Sequence, residues 1–299
     1  MNPTNRQKLL LLSFYLVLLV LPTGLAPLFE TTEARYGEIA REMLATGNWL
    51  EPHFNGIKHF HKPPLAYWLT GAGMKIFGRN DFGARFCAVL AAVVAVFFLY
   101  RLALLVLEEE KKAFYAALIF ASSWLFLAVT RLVSTEVYLT CFTILAQYFL
   151  FRQLYGERSK RNALFYGLFL GLGFLTKGPI IFLFTLLPCL VAKFLDREHR
   201  RVFTSGEILL GMAAFLLTAL PWYLAVIARN PGLLAYFLKA QTVDRAVTDR
   251  FHRYQPSWYF LAVFAGTFLP YLFFFLKGLG YHQVMPRRLK VLLIYVAVP

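Results

Sequence analysis

Long apolar runs separated by short basic turns dominate this chain. Leu9 to Phe29 carries no charge over 21 residues, enough for one membrane crossing at about 1.5 Å per residue. Arg6 and Lys8 precede it and no A-x-A site follows, so it reads as an uncleaved signal anchor with its N-terminus in the cytoplasm. Further spans are expected over Phe82 to Leu107, Ala113 to Thr130, Thr135 to Phe151, Ala163 to Thr176, Ile180 to Lys193, Ile208 to Ile227 and Ser257 to Leu276. A ninth begins near Val291, and Val291 to Pro299 would cover only about 13 Å as a helix, so the expectation is a chain that stops inside that span. Several uncharged cores are nearer 15 residues than 20, so flanking Lys and Arg must snorkel or the helices must pack inside the bundle.

The fold class predicted is an all-α polytopic membrane bundle, and composition agrees. Apolar residues make up 59% and charged residues only 16% of the 299, which excludes an ordinary soluble domain. A net charge of +15 raises nucleic acid as a partner, so the placement of the charges must decide. Seventeen of the 31 Lys and Arg fall in short segments on the expected cytoplasmic side; 12 of the rest lie in two long outer segments, Glu30 to Arg85 and Arg229 to Arg253. Short loops set orientation and long ones do not, so this is a positive-inside pattern and no nucleic-acid partner is expected. Cys87, Cys141 and Cys189 all lie in apolar runs without C-x-x-C spacing and read as buried small hydrophobes.

An elaborate outer loop has no role in spanning, so function is sought there. Thr31-Thr32-Glu33 offers an N-cap and an acidic first turn; Tyr36, Ile39, Ala40, Met43 and Leu44 then recur at helical spacing up to Gly47. This predicts an amphipathic helix on the outer membrane surface, with Arg35, Glu38, Arg41 and Glu42 on its polar face. Next comes Lys58-His59-Phe60-His61-Lys62-Pro63-Pro64, where the prolines start another helix. Two histidines fall short of a metal ligand set, and Lys62 beside them makes an anion site the stronger reading.

Three other polar features stand at outer edges. Glu136 is costly facing lipid and should face the bundle, either paired with Arg131 or at work in a site. Lys177, in the turn Thr176-Lys177-Gly178-Pro179, either binds an anion or caps helix carbonyls. Asp249-Arg250-Phe251-His252-Arg253 precedes Pro256-Ser257-Trp258-Tyr259 and suits anionic lipid.

Together, E-T-T-E-A-R-Y-G-E-I-A-R-E-M, G-N-W-L-E-P-H-F-N-G, H-K-P-P-L-A-Y-W-L, R-L-V-S-T-E-V-Y-L-T, G-L-G-F-L-T-K-G-P and D-R-F-H-R-Y-Q-P-S-W-Y-F-L resemble the bacterial aminoarabinose transferase and protein O-mannosyltransferase-like family. That family is a GT-C class of polyprenyl-phosphate-sugar-dependent glycosyltransferases, and the resemblance covers essentially the whole chain. It implies a GT-C transmembrane domain over 1–299, lacking the family's later spans and soluble periplasmic domain. It also implies inverting sugar transfer from an undecaprenyl phosphate carrier on the periplasmic face of the bacterial inner membrane, to lipid A phosphate, a protein hydroxyl or another glycan. The family's acid-glutamate pair falls on Thr32-Glu33, so Glu30 is the candidate substitute for the missing aspartate, and a second family aspartate falls on Glu136. Glu30, Glu33 and Glu136 are thus the expected catalytic carboxylates. Thr32, Arg35, Tyr36, Lys62, Lys177 and Arg253 are the expected substrate contacts. His61 stands where the family has an acid and His252 matches a metal-linked position, so a divalent ion, zinc or magnesium or manganese, is the cofactor these two raise. The rival expectation is a non-catalytic lipid-phosphate binder or transporter.

Overall fold

The computed structural model describes residues 13, 17, 19–195, 202–243, 256–279 and 287–297. Nearly all of this is helix. The sole sheet among the described residues is a hairpin of two-residue strands, β1 (His53–Phe54) and β2 (Ile57–Lys58). Asn55 (φ 53°) and Gly56 (φ 75°) form its left-handed turn, the conformation that an Asn-Gly pair favours in a two-residue hairpin. Glu42 accepts both turn N–H groups, from Asn55 at 2.6 Å and Gly56 at 3.2 Å.

The first outer helix, α1 (Glu30–Thr46), starts after an extended Phe29 rather than at a Thr31 cap, and Gly47 (φ 72°) closes it as expected. Its apolar stripe does not lie on lipid. Tyr36, Ile39, Ala40 and Met43 are buried in one core with α2 (Leu65–Phe77) and α3 (Asp81–Leu107). A stripe this fully covered by protein contributes burial energy to the fold itself.

Two of the expected spans are single helices long and apolar enough to cross a membrane: α3, and α10 (Ser205–Arg229). A third is divided into α4 (Glu110–Ser122) and α5 (Trp124–Thr130), bent by 60°. Ser123 is extended there and the Ser122 and Ser123 hydroxyls donate to Leu118 and Phe120 carbonyls, side-chain competition that breaks a helix. The next two, α6 (Glu136–Tyr155) and α7 (Lys160–Lys177), are continuous, with polar groups such as Gln153 and Asn162 used internally. Ile180 to Lys193 is split at Thr185 into α8 (Ile180–Phe184) and α9 (Leu186–Leu195). Ser257 to Leu276 is split into α11 (Ser257–Thr267) and α12 (Leu272–Leu279). The expected spans over Ile180 to Lys193 and Ser257 to Leu276 are thus each two helices rather than one. Of Leu9 to Phe29, residues 13, 17 and 19–29 are described, and there the expected span is not helical to its end: Leu21–Gly24 is a 3-10 turn and 27–29 have no regular structure.

Helix α13 (Arg287–Ala297) begins against the C-terminal ends of α3 and α6. Arg288 donates to the Leu105 carbonyl at 3.0 Å, pairs with Glu108 and lies 4.9 Å over the Tyr155 ring.

Candidate active site

The start of α1, the 59–64 segment, the start of α6 and the ends of α7 and α10 meet at one end of the bundle. An apolar cluster of Phe60, Leu65, Leu175, Trp222, Val226 and Leu233 holds the 59–64 segment against the ends of α7 and α10. Trp222 Nε1 donates to the Leu50 carbonyl at 2.8 Å and Trp68 Nε1 to Trp49 at 2.6 Å, which fastens the chain between α1 and the hairpin. Beyond it, Lys58 reaches Glu51 at 3.1 Å and Asn230 at 2.8 Å, while Asn230 donates to Glu51 at 2.7 Å. This triad ties the hairpin to the residue that follows α10.

Several expected site residues converge here. The Tyr36 ring lies 4.9 Å from Tyr67, and its hydroxyl is hydrogen-bonded with Thr135 and within the field of Arg35 and Glu136. Burial pushes the Tyr36 phenol up to about 12 despite the opposing Thr135 contact, so it stays protonated at neutral pH. Glu136 is paired with Lys177, not Arg131: Lys177 Nζ donates to its two oxygens at 2.7 and 2.6 Å. That also corrects the capping role for Lys177, since the helix end is closed instead by Gly178 (φ 76°), whose N–H donates to Phe174. Arg35 and Lys62 are half-buried and Thr32 is exposed.

Glu33, one helical turn before Tyr36, is turned into the protein. It is 3% exposed; Oε1 accepts from Arg85 Nε at 2.8 Å and from the Val133 N–H at 3.0 Å, and Oε2 from the Phe29 N–H at 2.9 Å. Arg85, also 3% exposed, donates further to the carbonyls of Thr23, Ala26 and Pro27. Both carboxylate oxygens are thus committed inside the protein, which is the geometry of a structural clamp. The backbone of Glu30 opens α1 but its side chain is not among the described groups, and His252 and Arg253 lie outside the described residues.

The rings of His59 and His61 are 4.2 Å apart, and Tyr236 stacks on His61 at 6.4 Å. Burial, then the nearby His61 and Arg35, lowers the His59 pKa to about 4. No group of three or more His, Cys, Asp or Glu suited to a metal occurs among the described residues. The His59 and His61 pair alone is two ligands short of a closed tetrahedral site.

The His59 shift makes a testable pH dependence. Below about 6.5 the unfolded chain takes up a proton that the folded chain refuses until about pH 4. Stability should therefore fall with pH across that window and level off below it. His59→Gln should flatten this part of a melting temperature against pH profile; an unchanged acid slope would assign the loss to other groups.

The pattern of residues had not singled out Arg85, Tyr67, Thr135 or the Glu51-Lys58-Asn230 triad. Arg85 carried a signal, an arginine near the start of an apolar span, which demands a buried partner. Asn55-Gly56 likewise announced the hairpin. Tyr67 and Thr135 carried none, because an aromatic or hydroxyl in an apolar helix is ordinary core.

A helical membrane bundle that gathers cations, a carboxylate and aromatic hydroxyls at one end has the architecture of a GT-C-type protein. The chain belongs to the family described as dolichyl-phosphate-mannose-protein mannosyltransferase, whose sequence profile matches residues 61–224. Among its relatives are proteins named undecaprenyl phosphate-alpha-4-amino-4-deoxy-L-arabinose arabinosyl transferase. That of Edwardsiella ictaluri is 32% identical, covering 82% of this chain and 45% of the relative. That of Pseudomonas aeruginosa is 34% identical, covering 88% and 48%. The crystal structure of ArnT from Cupriavidus metallidurans bound to undecaprenyl phosphate superposes with a TM-score of 0.87 at 23% identity, over 96% of this chain and 53% of that one. The chain therefore spans about half the length of the relatives it matches.

Proposed function

We propose that this chain carries the donor-handling membrane part of an inverting glycosyltransferase that uses a polyprenyl-phosphate-linked sugar, acting at the periplasmic face of the bacterial inner membrane. The observation that carries this reading is the convergence of Arg35 and the Glu136-Lys177 pair around Tyr36 and Tyr67, beside the 59–64 segment that bears Lys62. The names of the relatives point to undecaprenyl phosphate-linked aminoarabinose as donor; a phosphate such as that of lipid A is the acceptor that the chemistry of the site suits.

The chemistry fits the groups present. The bond between the anomeric carbon and the carrier phosphate oxygen breaks while the acceptor oxygen bonds to that carbon from the opposite face. The departing phosphate takes the electron pair as an anion and needs no proton; Arg35 and Lys62 stabilise the charge that develops on it. A phosphate acceptor, with a second pKa of about 6, is already ionised near neutral pH and needs positioning rather than a strong base. Such an acceptor suits a site in which Thr32 replaces one family carboxylate and Glu33 is committed to Arg85. Glu136, held by Lys177, is then an orienting group for the acceptor.

That same commitment of Glu33 favours, as the second reading, a binder of lipid phosphates without transfer. Purified full-length protein with undecaprenyl phosphate-linked sugar and lipid A separates the two. Wild type should transfer sugar, and Lys62→Ala should weaken carrier binding about tenfold or more, since a charge-assisted contact contributes roughly 1.5 to 3 kcal/mol. Unchanged carrier binding in a well-folded Lys62→Ala protein would remove Lys62 from the phosphate site. Tight carrier binding with no transfer by wild type would favour the binder.

A further inference from the structure

At the open end of the hairpin, three polar side chains from distant parts of the chain form one joint. Lys58 Nζ donates to Glu51 Oε1 and to Asn230 Oδ1, and Asn230 Nδ2 donates to the same Glu51 oxygen. Asn230 Nδ2 also donates to the Val226 carbonyl at 2.9 Å, which locks it to the last turn of α10. The hairpin is closed without this joint. Glu42 holds its turn, and the His59 N–H donates to the Pro52 carbonyl at 2.8 Å at its open end. The Glu51 side chain is 12% exposed and that of Lys58 46%, and a partly exposed ion pair adds little to global stability. What the joint fixes is the position of two chain segments relative to one another.

Both segments lead into the candidate site. Only four residues, His59 to Lys62, separate Lys58 from Pro63, where the chain becomes buried again through Pro63, Pro64 and Leu65. On the other side, the chain leaves Asn230 for Leu233–Ala235 and the helical segment Tyr236–Val243. There Tyr236 stacks on His61, and the Phe237 ring lies 6.4 Å from Phe60 and 6.1 Å from Trp222. These rings hold the two segments together from the apolar side, and the Glu51-Lys58-Asn230 joint holds them where Lys58 is exposed to water. A cation whose backbone is already fixed binds an anion more tightly, because no loop has to be ordered on binding.

We propose that Glu51, Lys58 and Asn230 are positioning residues for Lys62, latching the 59–62 segment to the chain that follows α10 so that Lys62 meets the carrier phosphate already ordered. This rests on the reading of Lys62 as the carrier-phosphate contact. Lys58 is the poorer phosphate ligand of the two, since Glu51 already matches its charge.

The test is a double-mutant cycle on the binding of undecaprenyl phosphate to the full-length protein in detergent. Lys62→Ala should weaken binding about tenfold and Asn230→Ala about fivefold. The double variant should still bind only about tenfold more weakly than wild type, because a loosened segment matters only while it carries Lys62. Independent effects would instead multiply to about fiftyfold. Backbone amide exchange over 59–62 should rise in Asn230→Ala with little change in melting temperature. Lys58→Met cuts the same joint from the hairpin side and should reproduce both effects, so the test survives if Asn230→Ala misfolds. Arg41→Gln breaks another exposed pair, with Glu38, and should leave binding within about twofold of wild type. A multiplied loss in the double variant, unchanged binding in Asn230→Ala and Lys58→Met, or an equal loss in Arg41→Gln would overturn the latch and leave Lys62 at the phosphate. Unchanged binding in Lys62→Ala would remove Lys62 from the phosphate site, and the latch with it.

Discussion

Glu33→Ala should lower the stability of the protein by about 3 to 5 kcal/mol, the usual cost of breaking a buried ion pair from one side. The reason is the state in which it leaves Arg85, a guanidinium 3% exposed with no counter-charge. Simply removing both charges should not restore the loss. The pair also satisfies five backbone groups, namely the N–H of Phe29 and Val133 and the carbonyls of Thr23, Ala26 and Pro27. Glu33→Leu combined with Arg85→Met would orphan them in a dry interior, at about 1 to 3 kcal/mol for each group left unpaired. Thermal unfolding of the single and double variants in detergent measures this directly. A Glu33→Ala protein that melts like wild type but transfers no sugar would instead make Glu33 a catalytic carboxylate.

Gly167→Leu should separate α7 from α10. A Cβ on Gly167 would stand 1.9 Å from the Gly211 carbonyl oxygen and 2.6 Å from its carbon, so the obstacle is backbone and no side chain can turn aside. Ala163, Gly167 and Gly171 follow one another at four-residue spacing, the small-residue stripe that lets membrane helices approach closely. Overpacking a core costs about 1 to 3 kcal/mol when side chains can adjust; here two helices must move, so the loss should exceed that range. The disturbance should reach the candidate site, because Leu175 on α7 and Trp222 on α10 pack in the cluster beneath it. Limited proteolysis and melting of Gly167→Leu beside Gly206→Ala, a position with nothing within 4 Å, provide the comparison. Equal behaviour of the two would show that the crossing is looser than its geometry.

The pattern of apolar runs determined that this chain is a helical membrane bundle, because a bilayer demands apolar side chains and internally satisfied backbone over a fixed length. The H-K-P-P and T-E-A-R-Y motifs marked the loop that contributes to the candidate site, since polar groups there have no part in spanning. What the runs left undetermined is where a span breaks: the bend at Ser123 depends on side-chain oxygens competing for backbone partners, which hydropathy does not register. Partner choice was equally hidden. Glu136 lies five residues from Arg131 in sequence but pairs with Lys177, 41 positions away, because the packing of α6 against α7 sets which charges meet. Likewise Glu33 and Glu136 are two carboxylates of similar promise in sequence; the tertiary structure buries one against Arg85 and leaves the other beside Tyr36. Charge on a residue can be read from the chain, but whether it clamps the fold or faces a substrate is decided by which distant groups satisfy it.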